Sequence, residues 1–183
     1  PQGLHAFLRA FFHVKSGDWP RNKPHILQGS AAEDLARMPT YYVMDLEETM
    51  PETVAPFHPS AAEVRACTWL TEAELEVYVE EYGRTGFQGA LQAYRVLSDP
   101  ILNDELRLFS GKTIDVPSLF IGGEKDWGTY AAPGALDLMK SKATTRLQGI
   151  EMIHGAGHWI QQEQPVRLGE RLLDFIKAAG AAQ

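Results

Sequence analysis

Val116-Pro117-Ser118-Leu119-Phe120-Ile121-Gly122-Gly123-Glu124-Lys125-Asp126-Trp127-Gly128 has a later counterpart in Ile150-Glu151-Met152-Ile153-His154-Gly155-Ala156-Gly157-His158-Trp159, and the pair points to the architecture. Each is a short apolar run that ends in a glycine-rich turn carrying charge. An apolar run without polar alternation, such as Val116 to Ile121, suits a strand buried on both faces of a parallel sheet. Between the two runs a helix is predicted from Pro133, at a first-turn position, to about Lys142. After the second, a helix runs from Pro165 through Leu168, Leu172, Leu173 and Ile176, with Gly180 just past its end. Strand, helix, strand, helix is a βαβα order and argues an α/β architecture. Two parallel strands need neighbours on their edges and layers on both faces. The remaining sequence offers no further convincing strand, since Val43 and Met44 form only a brief apolar patch. The expectation is therefore the end of a larger sheet.

Upstream, the chain reads as helices and loops. Leu4, Phe7, Leu8, Phe11 and Phe12 recur at helical spacing over residues 3–15. Residues 17–29, with prolines, glycines and mixed charge, read as loop. Capping boxes, a Ser or Thr followed three residues on by Glu, are predicted at Ser30/Glu33, Ser60/Glu63 and Thr71/Glu74. The helix opened by Thr71 carries Leu75, Tyr78, Val79 and Tyr82 on one face, with Gly83 or Gly86 to stop it. Another is predicted over 88–98, ending before Pro100.

Composition narrows the class. The 183 residues are 44% hydrophobic and 22% charged, an ordinary globular balance. A net charge of −7 with no basic run speaks against nucleic acid as a partner. No apolar stretch approaches the roughly 20 residues that span a bilayer, and none looks like a signal peptide, so the expected setting is the cytoplasm, away from the membrane. The single cysteine, Cys67, excludes a disulfide framework and reads as a small buried thiol. His5, His13, His25 and His58 are scattered and expected at the surface, and the paired glutamates read as solvated helix faces.

The chemistry concentrates at the two strand ends. A right-handed βαβ unit brings both C-terminal ends to one sheet edge, where ligands of open α/β sheets gather. Asp126 and His158 can meet there, a carboxylate orienting an imidazole base. Alone, such an Asp is usually a helix cap and such a His a turn residue; the juxtaposition gives them meaning. A metal at His154 and His158 is disfavoured because Gly155 and Gly157 break the helix that would align them. A nucleophile elbow of the Gly-x-Ser-x-Gly type, or its Asp variant, occurs nowhere in the sequence.

These residues look like a family. From about 113 to the end the chain resembles the C-terminal half of an α/β-hydrolase, with Asp126 at the acid, His158 at the base and Gly157-His158-Trp159 around it. Thr71 to Arg95 is similar to the cap segment of soluble epoxide hydrolases, carrying Gly86-Phe87-Gln88-Gly89 and then Tyr94-Arg95. The resemblance implies an α/β fold in which residues 1–111 form a helical cap or lid and 112–183 the C-terminal part of an α/β-hydrolase sheet. It implies a hydrolase in which an Asp nucleophile opens an epoxide to an alkyl-enzyme ester, and water activated by Asp126 and His158 hydrolyses that ester. Cap tyrosines would hydrogen-bond the epoxide oxygen; Tyr94 matches one, and Tyr41 or Tyr42 stands near the other. The residue before Tyr94 is Ala93 where the family often has an aromatic.

The expected substrate is a small molecule, an epoxide or an ester, with no cofactor and no metal. Three alternatives stay open: an esterase with an elbow Ser, a haloalkane dehalogenase, and an inactive module acting only in binding or assembly. The nucleophile belongs to an N-terminal half that this reading takes as missing, and the start at Pro1 inside a helical pattern looks like a cut. Such a chain is expected to associate with itself or with that half.

Overall fold

The computed structural model describes residues 3–180. Helix α1 (Leu4–Lys15) matches its periodicity, but it is a central element and not a surface helix. Leu8 and Phe12 pack with Leu70 and Leu75 on one side. Ala10 and Val14 pack with Trp19, Leu27, Met38, Tyr41, Val54 and Trp127 on the other. Even Arg9 is buried; it donates to the Leu70 carbonyl at 2.8 Å and pairs with Glu72. A buried guanidinium is tolerated where a carboxylate and a carbonyl both receive it.

Short helices wrap this core: α2 (Ala32–Leu35), α3 (Met50–Val54) running into a 3-10 turn at Ala55–Phe57, and α4 (Ala61–Ala66). Then come α5 (Glu72–Thr85) and α6 (Gln88–Ser98). The boxes at Ser60/Glu63 and Thr71/Glu74 form with both reciprocal bonds. The predicted box at Ser30/Glu33 does not: Ala31 occupies the cap of α2 without a side-chain bond, and the Asp34 carboxylate lies against Gly29. A box at Thr49/Glu52 opens α3 instead. Helix α5 runs through Gly83 and stops at Gly86, whose φ of +65° only glycine adopts cheaply.

Beyond a 3-10 segment at Asp104–Phe109 the chain enters β1 (Ser118–Gly123), pairing in parallel with β2 (Leu147–Ile153). Both strands differ in bounds from the sequence reading, and Val116 lies outside β1 and is exposed. The register ends with Gly123 opposite Ile153, so both following loops leave from one edge. Between the strands lie α7 (Trp127–Tyr130) and α8 (Ala135–Leu138), the latter running into a π turn at Met139–Ala143. Pro133 therefore precedes the helix and Gly134 caps it. After β2 come α9 (Ile160–Glu163) and α10 (Pro165–Gly180).

Among the described residues these are the only two strands, and most of their residues are half-buried rather than sealed on both faces. No described residue of α10 is buried, and Leu172, Leu173 and Ile176 are exposed. No helix among the described residues is long and apolar enough to cross a membrane. The architecture is thus a helical body, with its core around α1, joined to a small parallel α/β unit.

Candidate active site

Asp126 follows β1 and caps α7, its Oδ1 accepting from the Gly128 amide at 2.9 Å. The cap fixes the carboxylate's direction, so the bland role and the chemical one coexist in one residue. His158, in the turn after β2, sets Nδ1 at 3.2 Å from Oδ2 and 3.3 Å from Oδ1 of Asp126. An ionised carboxylate only accepts, so Nδ1 carries the proton and the neutral imidazole keeps its lone pair on Nε2. That is the tautomer a general base requires. Burial alone would raise the Asp126 carboxyl. Hydrogen bonds from His158 and Gly128, the His158 charge and the Tyr42 hydroxyl outweigh it and hold the carboxyl below its ordinary value.

The third group at this carboxylate is Tyr42, whose hydroxyl donates to Asp126 Oδ1 at 3.1 Å. Burial, then the Asp126 charge, pushes its phenol well above the ordinary range, so it stays protonated at neutral pH. Tyr41 points elsewhere. Its hydroxyl donates to Asn22 Oδ1 at 2.6 Å inside the core. Of these neighbours only Tyr42 contacts Asp126 among the described residues. Tyr94 is not brought to the pair: it lies on α6 with 69% of its surface exposed, and its hydroxyl makes no hydrogen bond among the described residues.

The His158 turn is held by close backbone packing. A Cβ on Gly157 would stand 2.5 Å from the Lys15 carbonyl oxygen, and one on Gly123 would stand 2.0 Å from that of Gly157. Glycine at both is a condition of close approach rather than of turn flexibility. The His158 amide donates to the Lys15 carbonyl at 2.9 Å. The Lys15 ammonium is buried amid the rings of Phe11, Tyr42 and Trp159, at 5.2, 5.0 and 5.6 Å from their centroids. Burial lowers its pKa, and the nearby Asp126 charge works against that shift. Trp159 anchors the turn from the other side, its indole donating to the Phe12 carbonyl at 2.9 Å.

His154 does not join His158. It pairs with Glu124 at 2.6 Å across the two strand-end loops, so the histidines serve different carboxylates. His13, expected at the surface, is half-buried, and burial lowers its pKa. It lines a cavity of about 240 Å³ with Arg9, Cys67 and Trp69, away from the Asp126–His158 pair. Cys67 is half-buried there as a free thiol. Lys15 carried no sequence signal, because its position in the site depends on contacts between distant segments.

No family model matches the chain. It is 40% identical to epoxide hydrolase B of Mycobacterium tuberculosis over 114 residues, 59% of this chain and 30% of that protein. It is 31% identical to epoxide hydrolase 3 of Siraitia grosvenorii over 160 residues, 81% of this chain and 49% of that one. Among solved structures, an epoxide hydrolase from an endophytic Streptomyces superposes over 96% of this chain and 46% of its own, with a TM-score of 0.72 at 28% identity. Potato epoxide hydrolase I superposes over 96% of this chain and 57% of its own, with a TM-score of 0.61 at 25% identity. The chain therefore spans less than two thirds of the length of these relatives. Over that span it is homologous to proteins named epoxide hydrolases, and its fold is part of an α/β-hydrolase together with a helical cap.

Proposed function

We propose that the chain supplies the cap and the water-activating part of an epoxide hydrolase-like enzyme acting on a small epoxide. Residues 1–111 serve as the cap and 112–183 as the C-terminal part of the catalytic core. A carboxylate from a segment outside these residues attacks an oxirane carbon, the ring C–O bond breaks, and the oxygen takes a proton from a phenol. Tyr42 is that donor, its single O–H turning from Asp126 to the oxirane oxygen, and Tyr94 is the second phenol, its unbonded hydroxyl available to a substrate. His158 Nε2 then removes a proton from water, which attacks the ester carbonyl. The bond between the carbonyl carbon and the alkyl-bearing oxygen breaks, the proton passes to the departing alkoxide and a diol leaves; the carboxylic acid so regenerated returns its proton to the phenolate. Asp126 stabilises the imidazolium that forms between the two transfers.

The observation that carries this reading is the convergence of His158 Nδ1 and the Tyr42 hydroxyl on one carboxylate, Asp126, at 3.2 and 3.1 Å. An esterase has no need of a protonated phenol at that place, and a dehalogenase releases halide rather than an alkoxide. A reducing compartment such as the cytoplasm suits the free Cys67 thiol. The test joins the chain behind the nucleophile-bearing half of a relative such as epoxide hydrolase B. An aryl epoxide should then yield its diol, and Tyr42→Phe should lower the rate by about 100-fold. Tyr41→Phe, losing only its bond to Asn22, should keep most of the rate. No diol from the intact hybrid, or full rate in Tyr42→Phe, would overturn the proposal.

A further inference from the structure

Glu163 closes α9 at a point that the reaction above does not use. Its carboxylate is half-buried, yet among the described residues it pairs with no cation. It accepts instead from three backbone amides: Gly17 at 2.7 Å and Gly157 at 2.9 Å on Oε2, and Trp159 at 2.9 Å on Oε1. Gly157 and Trp159 are the residues on either side of His158. Gly17 belongs to the turn after α1, and the Lys15 carbonyl just before it receives the His158 amide. One side chain thus ties the backbone on both flanks of the imidazole to the segment that holds the imidazole's own amide.

We propose that Glu163 is a positioning residue that fixes the His158 turn, so that Nδ1 meets Asp126 and Nε2 faces the reacting water. This rests on the reading of His158 as the base, although the contacts themselves do not depend on the substrate. The chemistry demands a carboxylate. Three N–H donors converge on two oxygens, and only an ionised carboxyl offers acceptors at both atoms. A glutamine would turn its NH2 toward an amide N–H and leave that donor unmatched. Burial, with the Asp18 charge adding to it, leaves the Glu163 carboxyl above its ordinary value although the three amides pull it down. Lys125 steadies the same junction by donating to the Gly17 carbonyl at 2.7 Å.

The test is proton NMR on the 183-residue chain, which reads the His158–Asp126 bond without any substrate. The wild-type protein should show the far-downfield signal of an imidazole N–H bonded to a carboxylate. In Glu163→Gln that proton should exchange with water about tenfold faster or vanish. The Gly157 and Trp159 amides should move upfield, while the Glu74 amide in the α5 cap stays in place as the control for folding. Glu163→Asp keeps the charge but is one methylene short; it should keep the downfield signal with intermediate exchange, a partial rescue. Should Glu163→Gln fail to fold, Glu163→Asp is read against wild type in the same way. An unchanged downfield proton in whichever folded variant is read, with unmoved Gly157 and Trp159 amides, would overturn the proposal. Failure of the hybrid to make diol would count against the epoxide reading alone and leave this one standing.

Discussion

Tyr41 and Tyr42 are neighbours in sequence with opposite duties, one tied to Asn22 in the core and the other to Asp126. Both phenols are raised by burial, then by the Asp126 charge. A raised phenol contributes stability that is whole below its unfolded value of about 10 and is lost as pH rises through its folded value. An ultraviolet titration should therefore show Tyr42→Phe removing amplitude only from the late, strongly alkaline phase. Loss of amplitude near pH 10 would contradict the burial. Asp126 carries the opposite sign. Its lowered carboxyl stabilises the fold above an unfolded value of about 4, and that contribution fades as pH falls through the folded value. Asp126→Asn should flatten the acid limb of stability against pH, measured by denaturant melts. At this scale the sequence made Asp126 and His158 legible, because strand ends on a shared edge put them together. It could not separate Tyr41 from Tyr42 or reveal Glu163, since those choices depend on which way a side chain turns within a loop.

Local signals located most helices and misplaced some of their ends. Thr71 and Ser60 cap as expected because a full first turn follows each. Ser30 fails because α2 starts one residue later than the box requires, so Ala31 takes the cap. The Thr49/Glu52 box carries the same signature and forms at the start of α3. Thr71→Ala should cost about 1 kcal/mol in a denaturant melt, through loss of the α5 cap. The glycines divide by what surrounds them. Gly157→Ala would drive a Cβ to 2.5 Å from the Lys15 carbonyl oxygen. It should destabilise by about 1–3 kcal/mol. At Gly89, on α6, a Cβ would meet open space beyond its own helix backbone and chain neighbours, among the described residues. Gly89→Ala should stabilise by about 0.5–1 kcal/mol. Equal effects at the two positions would show that the close packing at the His158 turn is not what requires glycine there.

At the scale of the molecule, burial is lopsided. Both residue sets of the buried core centre on α1, while the sheet keeps two strands with unpaired edges among the described residues and α10 leaves an apolar stripe exposed. The α/β order was legible because buried strands and an amphipathic last helix carry strong local patterns. The central burial of α1 was not, because its periodicity reports one apolar face and says nothing of what covers the other. Open strand edges and exposed apolar helices favour association. The chain alone should sediment above its 20.4 kDa monomer mass and bind a hydrophobic dye. A dye-silent monomer that unfolds cooperatively would contradict that.

In the proposed reaction His158, oriented by Asp126, activates the water that releases product from a covalent ester. In the hybrid carrying a relative's nucleophile, mass spectrometry after mixing with an aryl epoxide reads that step directly. His158→Ala should accumulate the epoxide's mass on the nucleophile-bearing half, with diol formation lost, while the intact hybrid turns over and carries little adduct. Continued diol formation in His158→Ala, with no adduct, would contradict it.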